Sequence, residues 1–173
     1  MISRDEVPYK SCYCEENIYK FLEILKNDNF YAVLISNDCQ QIPLWRQKSD
    51  REFVIWDYHV IAVGDGNVFD LDTTLEFPQD FCTYFTQTLN LDIDLHDKYR
   101  RKFRVIPSAI YLDSFSSDRS HMQNIDGSWK MTPPDWPCIN QEKSANLMDL
   151  IDMRKSINDT QVMDEQEFYD FFK

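Results

Sequence analysis

Glycine is nearly missing from this chain of 173 residues, which holds three. Phosphate-cradling loops need glycine for positive φ and close backbone approach, and neither the G-x-G-x-x-G nor the G-x-x-x-x-G-K spacing occurs. Nucleotide binding therefore has no support. Positive charge is also scarce: 18 Lys and Arg stand against 30 Asp and Glu, a net charge of −12. Phosphate contacts need a surplus of Lys and Arg, so a nucleic-acid partner is excluded. The acidity suits a substrate with positive charge, such as a free peptide N-terminus, and serves solubility equally well. No apolar run approaches the roughly 20 residues of a membrane span. The polar start Met1-Ile2-Ser3-Arg4-Asp5-Glu6 lacks the apolar core of a signal peptide. Five cysteines, at 12, 14, 39, 82 and 138, make an odd set without a disulfide framework. That pattern points to a reducing compartment, the cytosol or nucleus.

What is present is a folded protein. Hydrophobic residues make up 43% and aromatics 14%, enough for a real core, and the length fits one domain over 1–173. Residues 1–10 read as a loose lead. From Cys12 to Asn27 the residues Cys14, Ile18, Phe21, Leu22 and Leu25 recur at helical spacing, with Cys14 at the start of the buried face. Strands are expected at Phe30–Ser36 and Gln41–Trp45, with a polar loop over Gln47–Arg51. The longest strand is expected over Phe53–Val63, central because its apolar residues occupy both parities. Gly64-Asp65-Gly66-Asn67 is a hairpin turn, returning through Val68–Leu71. A helix from Pro78 to Leu89 has proline in its first turn. Leu91–Lys98 is an acidic loop, Lys102–Ile106 a strand and Pro107–Phe115 a short helix. Ser116–Gln141 is irregular but ordered, with Trp129, Trp136 and Ile139 packed. Leu147–Met153 and Glu165–Phe172 are short helices. The class is α+β, a helix followed by an antiparallel sheet.

The chemistry centres on Ser11-Cys12-Tyr13-Cys14-Glu15-Glu16-Asn17. A cysteine in a helix's first turn is readily ionised, because unpaired N–H groups and the helix dipole favour its thiolate. His59 lies in the long strand. With a Gly64-Asp65 turn it faces Asp70, and with an Asp65-Gly66 turn, slightly preferred, it faces Asp72. Either register yields a Cys14 nucleophile, a His59 base and an orienting aspartate. Each residue also has a plainer role: Cys14 as core, His59 as a satisfied core histidine. Cys12 lies off the apolar stripe. His96 reads as solvated, and His121 as the rival base. A zinc site from Cys12, Cys14 and His59 lacks the usual spacing and a second cysteine pair. No metal or other cofactor is expected.

These stretches, with Val54-Ile55-Trp56-Asp57-Tyr58-His59-Val60, Asp70-Leu71-Asp72-Thr73, Arg100-Arg101-Lys102-Phe103-Arg104-Val105-Ile106 and Ser117-Asp118-Arg119-Ser120-His121-Met122, resemble the protein N-terminal glutamine amidohydrolase family from about Tyr9 to the C-terminus. The resemblance implies a monomer with an α/β fold and a papain- or transglutaminase-like centre. It implies deamidation of a glutamine at a protein's or peptide's N-terminus to glutamate, with release of ammonia. The product is then arginylated and degraded through the N-degron pathway. It places the triad on Cys14, His59 and Asp70, so that Asp70 requires a Gly64-Asp65 turn or an irregular connection. The chain departs from the family in a shorter lead, a shorter connection from His59 to Asp70 and a less similar stretch after about Asn158.

Such an enzyme must read the substrate's α-ammonium. Asp57, sharing the face of His59 by strand parity, and Glu15, beside the nucleophile, are the candidates. Their plainer roles are backbone acceptor and helix-dipole partner. Tyr13, Trp45 and Ser120 are candidates for the pocket that prefers glutamine to asparagine. The rival functions are a papain-like hydrolase or transglutaminase acting within chains, and a non-catalytic interaction module.

Overall fold

A computed structural model describes residues 2–49, 51–90 and 93–173. The parts of the expected lead, polar loop and acidic loop that fall on Met1, Asp50, Leu91 and Asp92 lie outside the described residues.

The centre is β1 (Tyr31–Ser36), a run of β-branched and apolar residues flanked by β4 (His59–Gly64) and β7 (Lys102–Pro107), all antiparallel. β5 (Asn67–Phe69) and β6 (Gln79–Asp80) extend the β4 side and β8 (Gln161–Met163) the β7 side, giving the order β6-β5-β4-β1-β7-β8. Side-chain alternation divides the core. Ala32, Leu34, Val60, Ala62 and Ile106 face a layer containing α1 (Cys14–Leu25), α3 (Ser108–Ser114) and α4 (Leu147–Ile151). Val33, Ile35, Ile61, Val63 and Val105 face α2 (Phe81–Leu89), α5 (Glu165–Phe172) and a separate two-stranded sheet of β2 (Ile42–Trp45) and β3 (Phe53–Trp56). The domain is therefore α+β with an antiparallel sheet covered on both faces.

The expected strand over Phe53–Val63 is two strands in two sheets. Phe53–Trp56 alternates exposed and covered, as a one-sided strand should, whereas every residue of β4 is buried. The chain breaks at Asp57-Tyr58, where Asp57 Oδ1 accepts the Tyr58 N–H and the Asp57 carbonyl accepts the Ser36 hydroxyl. The lead is folded rather than loose. It forms a 3-10 helix at Arg4–Glu6, buries Val7, and places the Tyr9 hydroxyl on Asp72. α1 starts at Cys14 rather than Cys12, because Cys12 takes a left-handed φ of 69°. α2 starts at Phe81 rather than Pro78: Asp80 caps it by accepting the Thr83 N–H, and Gln79–Asp80 pairs with β5 instead. Trp129 is partly exposed, while Trp136 and Ile139 pack as expected. β8 has no counterpart among the expected elements.

The hairpin turn is Asp65-Gly66, with φ of 52° and 73° at its two central residues. Gly64 pairs with Asn67 across it. Gly64 itself is needed for space, since a Cβ there would lie 2.6 Å from the Phe30 ring. Phe30 is buried against Phe21 and Phe69, so it cannot swing aside cheaply. Gly64→Ala is expected to cost about 1–3 kcal/mol of stability in urea denaturation. A loss within error of zero would show that Phe30 yields.

Candidate active site

The N-terminus of α1 is set by Asn17. Its Oδ1 accepts the Lys10 N–H and its Nδ2 donates to the Lys10 carbonyl, both at 2.8 Å. This clamp and the left-handed Cys12 turn the chain into the helix through Tyr13, which supplies no side-chain cap. Cys14 follows, 9% exposed, with the Val60 backbone N–H facing its sulfur. The sulfur thus lies against the start of β4, one residue from His59.

His59 is buried, and its Nε2 is 3.0 Å from Asp70 Oδ1. With Asp70 ionised, Nε2 carries the hydrogen and Nδ1 presents a lone pair in the neutral ring. Nδ1 is buried without a partner. Asp70 accepts three further hydrogen bonds: Gln47 Nε2 at 3.1 Å, the Tyr84 hydroxyl at 2.7 Å and the Asp72 N–H at 2.9 Å. The turn is the Asp65-Gly66 one, which in a continued ladder would bring Asp72 opposite His59. Asp70 takes the place because β5 leaves the ladder after Phe69. The chain then pairs with the stretch following β2, through Lys48 N–H to the Asp72 carbonyl and Thr74 N–H to the Arg46 carbonyl, each 2.7 Å.

The other candidates fall in different places. Glu15 is fully buried; its Oε2 accepts the Tyr58 hydroxyl at 2.9 Å and lies 3.6 Å from the Cys14 sulfur. Asp57 is exposed in the strand break, so the parity argument for it does not apply, and one oxygen serves the Tyr58 backbone. Tyr13 is fully buried with its hydroxyl on the Met131 carbonyl. Trp45 stacks on Phe53 at 5.2 Å. Ser120 is exposed, and its N–H goes to Asp118. Its neighbour His121 faces the site instead, with Nε2 3.3 Å from the Tyr58 hydroxyl and 3.7 Å from Glu15 Oε1. Among the described residues, His59, Asp70 and Asp72 form the trio of potential metal ligands within 4.8 Å of one another. The His59–Asp70 hydrogen bond and the Tyr9 contact to Asp72 account for that proximity; Cys12 and Cys14 do not join it.

The model of the N-terminal glutamine amidase family matches residues 9–172. The chain belongs to that family. It is 52% identical to the protein N-terminal glutamine amidohydrolase of Caenorhabditis briggsae, over 99% of this chain and 98% of the relative. The Caenorhabditis elegans protein of the same name is 49% identical, with 99% of each chain covered. The human one is 45% identical over 87% of this chain and 80% of its own length.

In this member of the amidase family, charge tunes each group. Burial alone favours a neutral His59, but the charge and hydrogen bond of Asp70, helped by Asp72 and Glu15, outweigh it and raise the ring's pKa. Burial would also protonate Asp70; His59, Tyr84 and the Asp72 N–H hold it below the ordinary aspartate value. The expected ease of ionising Cys14 is reversed. Burial, then Glu15, Asp72 and Asp57, push the thiol up, with the Val60 N–H pulling the other way. Glu15 is pushed up to about 7, chiefly by burial. Burial also lowers His121.

Sequence reasoning missed Gln47 and Tyr84, the partners of Asp70, and Tyr58, the partner of Glu15. It also missed the buried pair in which Arg119 Nε and Nη2 reach both oxygens of Glu16, at 2.8 and 2.7 Å, joined by Trp136 Nε1 at 2.8 Å. The signal for that pair was available only in part: two adjacent glutamates opening an apolar helix, with an arginine in a proline-rich stretch.

Two outcomes are expected. In ring-labelled protein, Asp70→Asn should lower the His59 titration midpoint, because burial is then opposed only by the weaker charges of Asp72 and Glu15; an unmoved NMR midpoint would exclude Asp70 as the cause. Arg119→Ala strands the buried Glu16 charge and should cost about 3–5 kcal/mol in urea denaturation, whereas a cost below about 1 kcal/mol would show water reaching Glu16.

Proposed function

We propose that this protein hydrolyses the side-chain amide of a glutamine at the N-terminus of a protein or peptide, giving glutamate and ammonia. The observation that carries the reading is the buried His59–Asp70 pair beside a cysteine at a helix start, in a chain whose relatives are named for this amide. A helix-borne thiol facing a sheet that bears histidine and carboxylate is the layout of papain- and transglutaminase-like centres.

Cys14 attacks the amide carbon as its proton passes to His59 Nδ1. His59 returns that proton to the departing nitrogen, and ammonia leaves. The γ-glutamyl thioester is then hydrolysed by water, with His59 as base. Asp70 fixes the tautomer and stabilises the imidazolium. The backbone N–H of Cys14, at a helix end without a side-chain cap, is an oxyanion donor. Three carboxylates, Glu15, Asp57 and Asp72, oppose the thiolate, so the site favours a cation, and a free α-ammonium supplies one. Preference for glutamine over asparagine follows from reach: one methylene fewer draws the carbonyl away from the sulfur, and small misplacements cost heavily in rate. The chain acts as a monomer on peptide N-termini, and its five free cysteines suit the cytosol or nucleus.

Ammonia release with mass analysis tests the reading on four reactions: a Gln-start peptide, its acetylated form, an Asn-start form, and the Gln-start peptide with Cys14→Ala protein. Conversion of the free Gln peptide alone, abolished in the mutant, is expected. Equal conversion of the acetylated peptide would favour a hydrolase acting within chains. No conversion by folded, reduced protein would favour a binding module.

A further inference from the structure

Glu15 is placed where a carboxylate harms the chemistry. It lies 3.6 Å from the nucleophilic sulfur, fully buried, and its charge raises the thiol's pKa. One oxygen is held by Tyr58, while the other, Oε1, is buried without a hydrogen-bond partner. The groups around it leave the charge uncompensated. Glu16 beside it on α1 is spent on Arg119. Tyr58 and Tyr111 are neutral phenols, the second bonded to the Glu15 carbonyl. His59 belongs to Asp70. Burial lowers the pKa of His121, 3.7 Å from Oε1, and so disfavours its charged form. Burial pushes the pKa of Glu15 up to about 7, so its charge is costly beside the thiol and is stabilised when a cation reaches the free oxygen.

We propose that the substrate's own α-ammonium switches the nucleophile on: it pairs with the free Oε1 of Glu15 and cancels the negative charge that faces the Cys14 sulfur from 3.6 Å. The S–H proton then passes to His59 Nδ1, the S–H electron pair stays on sulfur, and attack on the amide follows. Glu15 is thus a specificity-determining residue, and a blocked N-terminus fails mainly in kcat rather than in binding. The inference rests on the N-terminal reading above.

The test uses the full chain in a Cys12→Ser background and follows alkylation of Cys14 by iodoacetamide against pH. Glu15→Gln keeps the acceptor for Tyr58 and removes the charge, so the alkylation midpoint should fall by on the order of one pH unit. Tyr58→Phe removes a donor that favours ionised Glu15 and should move the midpoint the same way by less. In wild-type protein, acetylation of the Gln peptide should lower kcat more than it raises KM, and Glu15→Gln should shrink that kcat gap about tenfold or more. Unmoved midpoints in both variants, or discrimination expressed in KM alone, would overturn the proposal. Failure of wild-type protein to convert any Gln peptide would remove the functional reading instead, while the alkylation arm would still decide whether Glu15 controls the thiol.

Discussion

A single buried carboxylate holds this structure's working parts in register. Asp70 has no contact with bulk water, and an ion in that position costs several kcal/mol unless its lone pairs are filled. Its four partners come from separate places: His59 at the start of β4, Gln47 just after β2, Tyr84 on α2, and the Asp72 backbone. The main sheet, the small sheet and one helical layer therefore converge on one charge. Their convergence orients the imidazole, and it also explains why β5 is so short. The chain must abandon the ladder after Phe69 to deliver Asp70, and it regains backbone partners from Arg46 and Lys48.

The same constraint shows what could be read in the amino-acid order and what could not. The apolar spacing of Ile18, Phe21 and Leu22 identifies α1, and the β-branched run at Tyr31–Ser36 identifies β1, because both signals are local. The preference for an Asp65-Gly66 turn was sound for the same reason. It nevertheless favoured Asp72, because the departure of β5 from the ladder is caused by a pairing with residues some 25 positions earlier. The resemblance to the amidase family pointed to Asp70 without supplying that cause. The break at Asp57-Tyr58 was hidden by apolar residues of both parities, which one buried strand or two strands in different sheets explain equally. Glu15 stands in the sequence as an amine reader or a helix-dipole partner and Glu16 without a role, and the burial of both is not legible there, since burial of a charge depends on partners such as Arg119, more than a hundred residues from Glu16.

The segment from Ser116 to Gln141, mostly without regular structure, is fastened by side chains rather than by ladders. Arg119 and Trp136 grip Glu16, the Tyr13 hydroxyl holds the Met131 carbonyl, and Ser116 satisfies carbonyls of the same stretch. Its order is thus borrowed from the helix that carries Cys14. The proline-rich composition that denies it a strand or helix does not make it peripheral to the site.

Neighbouring residues at the strand break look in opposite directions. Tyr58 joins the core beneath α1 and touches Glu15, while His59 turns to the side where Tyr84 and Trp56 pack. Cys14, in the layer of α1, and His59, turned to the other face, therefore straddle the sheet. In the reaction proposed above, loosening either layer would part the Cys14 thiol from the His59 imidazole, so activity would report on the docking of the two cores to one another, a property of the whole domain rather than of either half.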